Sequence, residues 1–81
     1  MPRYFFDIHD GAELRDEIGR EVEDGAILRG EALHVATELM RAESEDARET
    51  TLVLTVRDRT DAVVLKVRLV SQVEEFGNGP S

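Results

Sequence analysis

The chain has 81 residues with 18 acidic and 10 basic side chains, a formal net charge of −8, and no cysteine. That length makes one small domain, whose limited core gains from self-association. It excludes a membrane span, since no uninterrupted apolar run exceeds Ala62 to Leu65, whereas about 18 to 20 residues are needed. The missing thiols exclude disulfides, zinc-thiolate sites and iron–sulfur clusters, and the acidic balance argues against direct nucleic-acid binding, which draws its affinity from Lys and Arg.

In chain order, the opening Met1-Pro2-Arg3-Tyr4-Phe5-Phe6-Asp7 breaks at an aspartate where a signal peptide needs continuous apolar sequence, so a cytoplasmic address is expected. Arg3 to His9 alternates Tyr4, Phe6 and Ile8 with Phe5, Asp7 and His9, the pattern of a half-buried strand. Ala12, Leu14 and Ile18 then continue at even positions as a weaker second strand that Asp16 interrupts. A three-residue loop, His9-Asp10-Gly11, pairs Ile8 with Ala12 and Phe6 with Leu14 and so keeps both apolar rows on one face.

Asp24 is the expected N-cap of a helix from about Gly25 to Glu43, with Glu21 and Glu23 near its positive end. Leu28, Ala32, Val35, Ala36 and Leu39 form its apolar stripe, widened by Leu33 and Met40, with His34 on the polar side. Ser44 to Thr50 reads as a linking loop. Thr51 to Arg57 and Val63 to Val70 alternate in complementary phase as the strongest strands. An even loop around Arg59-Thr60 pairs Val56 with Val63, Leu54 with Leu65 and Leu52 with Val67 without a bulge. The expected fold is an α+β two-layer sandwich of order strand, strand, helix, strand, strand. Its four-stranded, largely antiparallel sheet is covered on one face by one helix. Residues 1–76 form the domain, and 77–81 a flexible tail.

One helix covers one sheet face and leaves the other for a partner. Phe5, Val53 and Val64 are the apolar anchors expected there, beside Thr55, Lys66 and Arg68, with the acidic first hairpin complementing Arg57, Lys66 and Arg68. The expected partner is a second copy of the chain, as a homodimer, or another protein. Three functions follow from this pattern. The first is a non-enzymatic interaction or regulatory module that self-associates. The second is an antitoxin-like neutraliser of a basic partner protein, because residues 1–50 hold 14 of the acids against 6 bases. The third is a small metal-binding protein or enzyme built on Asp7, His9 and Asp16, whose carboxylates and imidazole are ligand types for a divalent ion. Asp16 reads either as a perturbed carboxylate for acid–base work or as a strand end bonding backbone. No phosphate loop, nucleophile elbow or dinucleotide fingerprint is present, and no cofactor is expected.

The opening Met1 to Asp7, the His9-Asp10-Gly11 turn, Arg15-Asp16-Glu17-x-Gly19-x-Glu21, Arg29-x-Glu31-Ala32 and Val56-Arg57-Asp58 resemble a group of small bacterial domains of unknown function. The resemblance covers nearly the whole chain. It implies a compact stand-alone domain and supplies no catalytic residue. The chain departs from it at Ile27-Leu28, where alanine-rich sequence is expected.

Overall fold

A computed structural model describes residues 1–77, so the expected tail lies, apart from Gly77, outside the described residues. The described residues form an α+β fold, with five strands in one antiparallel sheet and one helix. The strands are β1 (Arg3–His9), β2 (Glu13–Leu14), β3 (Arg20–Glu21), β4 (Glu49–Arg57) and β5 (Val63–Gln72). The helix α1 runs Ala26–Ser44. The sheet order is β2-β1-β4-β5, with β3 also pairing β1.

The even positions of β1 and β4 supply one side of the core. Tyr4, Phe6, Leu52, Leu54 and Val56 are buried together with Val67 of β5, with Val22, and with Leu28, Ala32 and Ala36 of α1. The two alanines are fully covered, as small side chains that bring the helix axis close to the sheet. Val35, Leu39 and Met40 pack at the margin, whereas Leu33, expected to widen the stripe, is exposed.

Three boundaries differ from expectation. The expected second strand is two short ones, so the sheet has five strands and not four. Asp24 does not cap the helix. Gly25 is the N-cap, at φ 71°, with no side-chain cap bond; Glu21 is drawn instead into β3, opposite Arg3. The expected linking loop is shorter, because β4 already begins at Glu49, opposite Gln72.

Both hairpin registers are shifted by two residues while the faces are kept. Ile8 pairs with Leu14 and His9 with Glu13, across the loop Asp10-Gly11-Ala12. In the second hairpin Leu54 opposes Val67 and Val56 opposes Leu65. The reason is a three-residue loop followed by a bulge. Asp58 N–H donates to Ala62 O at 2.9 Å, and Asp58 Oδ1 accepts from Thr60 N, Thr60 Oγ1 and Ala62 N. Asp61 turns the chain at φ 69°, a conformation Asp tolerates better than most residues. The loop and the bulge at Val56/Arg57 each add one residue to the register. Val63, expected toward the helix, is consequently exposed, as is Leu14 at the thin β2 edge.

Candidate interaction surface

The sheet face away from α1 is built by the odd residues of β1 and β4 and the even residues of β5. Register places them in rows. Asp7, Thr55 and Lys66 form one row, and His9, Val53 and Arg68 the next. Phe5 lies opposite Arg57. Val64, Lys66 and Arg68 are exposed, Val53, Thr55 and Phe5 half-buried.

The end of this face near Phe5 is occupied by a buried ion pair. Arg57 is 7% and Asp7 8% exposed. Arg57 Nε donates to Asp7 Oδ2 at 2.5 Å and Nη2 to Asp7 Oδ1 at 3.0 Å, the two-pronged fit of guanidinium to carboxylate. Nη2 also donates to Asp16 O at 2.8 Å and Nη1 to Asp61 Oδ1 at 2.7 Å. The guanidinium lies 5.0 Å from the centre of the Phe5 ring. Arg57 is therefore not a free base awaiting an acidic partner, as the charge pattern suggested; Asp7 and Asp61 of the same chain neutralise it.

Asp16 sits beside this pair and replaces a missing stretch of strand. Its Oδ2 accepts from Phe6 N at 3.0 Å, and its Oδ1 accepts from Ile18 N and Gly19 N, each at 3.0 Å. Its own N–H donates to Asp7 Oδ1 at 2.9 Å. The carboxylate thus stands where a neighbouring strand would offer a carbonyl, and β2 and β3 separate around it. This is the backbone-bonding alternative of the two that the sequence left open. Gly19 closes the excursion at φ 74°, where a Cβ would lie 2.9 Å from both the Phe5 ring and Tyr4 O.

These contacts favour the ionised form of both acids. The hydrogen bond from Arg57 lowers the Asp7 carboxyl below its ordinary range against the opposing effect of burial. Burial pushes Asp16 up, but the N–H groups of Gly19, Phe6 and Ile18 outweigh it and the net direction is down. Arg57 is raised above its ordinary value, chiefly by Asp7.

The residues weighed for metal binding come apart. Asp7 is turned into the clamp, while His9 is exposed at the strand end, opposite Glu13. Among the described residues no three His, Asp or Glu side chains converge as a metal site. His34 is exposed on the helix. No helix of the described residues is long and apolar enough to cross a membrane.

The structure adds two features that alternation alone did not single out. One is a groove of about 460 Å³ between the β2 edge and α1, lined in part by Phe6, Ile8, Leu14, Ile18 and Val35. The other is the outer edge of β5. Among the described residues β5 pairs only with β4, so a ten-residue strand carries one unpaired edge. A signal for it exists in sequence, since Val63 to Gln72 contains no proline; strand order is what places it outermost.

The model of the family described as Domain of unknown function (DUF6894) matches residues 3–71. The chain belongs to the DUF6894 family. The match spans β1 through Ser71 of β5, including Asp7, Asp16, Gly19 and Arg57, and stops short of Val73 to Phe76. No curated protein and no solved structure matches the chain.

Proposed function

We propose that this DUF6894 domain is a non-enzymatic protein–protein interaction module that self-associates, and that the outer edge of β5 is where it does so. The observation that carries the reading is the unpaired edge itself. Along this ten-residue strand the outward-pointing backbone donors and acceptors meet no neighbouring strand among the described residues, an arrangement that recruits another strand unless it is blocked. A two-layer arrangement, with α1 over one face and the other open, supports the same reading. It leaves Val64 and Val70 exposed beside that edge. The acids weighed for chemistry are engaged in holding β1, β4 and the 15–19 excursion together, which favours contact over catalysis.

The direction of the backbone supplies a selective test. Val73 N donates to Arg48 O at 2.8 Å. Main-chain groups alternate along a strand, so Ser71, Leu69 and Val67 bond toward β4, while Gln72, Val70, Arg68 and Lys66 aim theirs outward. Arg68→Pro removes one outward donor and no internal bond; Leu69→Pro removes an internal one. By light scattering, the native protein has twice the chain mass, Arg68→Pro is a folded monomer, and Leu69→Pro is unfolded. A native protein that stays monomeric at high micromolar concentration overturns the reading.

A further inference from the structure

The reading of β5 as a self-association edge can be carried to a specific register, because side-chain charge separates the alternatives. Two antiparallel copies of one edge strand meet about a twofold axis, and the outward-bonding even residues then face one another. An axis at Lys66 places Lys66 against its own copy, an axis at Val67 places Lys66 against Arg68, and an axis at Arg68 places Arg68 against itself. Directly opposed like charges are destabilising. The charges on β5 therefore exclude axes at Lys66, Val67 and Arg68; an axis at Leu69 sets Lys66 against Gln72 and Val64 against Glu74 with no ion pair, which leaves the C-terminal end as the favoured place for the pairing.

We infer that two copies pair β5 to β5 about an axis at Val70, with Val73 to Phe76 of each chain extending the strand. In this register Val70 opposes Val70, Arg68 opposes Gln72, Lys66 opposes Glu74 and Val64 opposes Phe76. Two observations support it independently. The first is apolar exposure: Val70 is 64% and Phe76 82% exposed, and the register places these side chains against valines. The second is electrostatic. Val73 to Phe76 runs beside Glu45 to Arg48 across a groove of about 580 Å³. Glu45, Asp46, Glu74 and Glu75 line this groove with Arg48 as its one base, and the partner's Lys66 arrives at this acidic excess. An axis at Ser71 also forms an ion pair, Arg68 with Glu74, but sets Lys66 against Phe76.

The pairing closes on itself. Each copy uses its one long free edge, and the opposite border of the sheet offers only the two-residue strands β2 and β3. The result is a dimer with one continuous sheet across the axis, not a fibre. This inference rests on the proposed self-association, and its test separates the two.

Because the chain has no cysteine, single-cysteine variants report register directly. A disulfide requires Cα atoms within about 7 Å. Val70→Cys lies on the axis and forms a covalent dimer under mild oxidation. Gln72→Cys, which leaves every charge in place, lies about 13 Å from its own copy, four residues along the strand, and does not. An equimolar mixture of Lys66→Cys and Glu74→Cys yields the crossed dimer above either variant alone. Charge reversal gives a second readout: Glu74→Lys weakens association, and adding Lys66→Glu restores it. A dimeric native protein in which Val70→Cys fails to cross-link, or in which Gln72→Cys cross-links as well, overturns the register and leaves self-association standing. A monomeric native protein overturns both.

Discussion

At the residue scale, the side chains that most shape this molecule are polar ones placed where strand geometry fails. Arg57 and Asp7 are opposite charges withdrawn from water, and such a pair holds only while both members and their hydrogen bonds are present. Arg57→Met removes the fork and leaves Asp7 buried without its main partner, so a large fall in thermal midpoint is expected by calorimetry. Arg57→Lys keeps the charge but loses the two-pronged geometry and falls between that variant and the native protein. Removing the carboxylate charge tests the pair from the other side. Asp7, Asp16 and Asp58 are all held below the ordinary aspartate range. The causes are Arg57 for Asp7, backbone N–H groups that overcome burial for Asp16, and the Thr60 hydroxyl for Asp58. A depressed carboxyl contributes stability above its unfolded value, roughly pH 4, and loses it as pH falls through the folded value, because the unfolded chain takes up protons first. Urea midpoints should fall between pH 6 and pH 3, and the difference between native protein and Asp7→Asn should narrow over the same range. Gly19→Ala combines a left-handed backbone with a Cβ aimed at Phe5 and Tyr4 O. It should cost at least about 1 to 3 kcal/mol in chemical denaturation.

At the element scale, β4 is the strand on which the fold turns. It lies between β1 and β5, and Leu52, Leu54 and Val56 are fully covered beneath α1. Leu54→Ala should lower stability by about 2 to 5 kcal/mol, read from urea denaturation, since the site has neighbours on every side and little room to collapse. The faces of β1, β4 and β5 were legible because alternation is a local property: every second side chain of a strand points the same way. The registers were not. Pairing distance depends on loop length and on bulges. Asp61, a residue other than glycine at positive φ, supplied a three-residue turn that the Arg59-Thr60 spacing did not announce. Asp16 likewise broke the second strand by substituting for a backbone carbonyl, an act visible only once Phe6 and Gly19 are beside it. The helix start was legible to within a residue, but its N-cap is Gly25 at positive φ and not Asp24.

At the scale of the whole molecule, shape is as informative as contact. The radius of gyration is 15.5 Å and the principal extents are 56 × 25 × 16 Å, whereas a compact chain of this length is expected near 12 Å. Gln72 to Phe76, at the end of β5, are exposed, and a second copy would supply neighbours there. A chain ending at Gln72 retains every core residue and should melt close to the full-length protein. It should nonetheless associate more weakly in sedimentation, since Val73 to Phe76 are lost from the pairing.

The sequence by itself determined the α+β class, the β1 boundaries, the core rows of β1 and β4, the apolar stripe of α1 and the kinship with domains of unknown function. All of these rest on periodicity or on short motifs, which act over a few neighbouring residues. Only the tertiary structure decided that Arg57 is spent inside the chain, that Asp16 serves as a strand partner, and that β5 is outermost. Each of these depends on groups distant in sequence meeting in space: Asp7 and Arg57 are fifty residues apart. The free edge that carries the proposed function exists only because β4, and not β5, took the place beside β1.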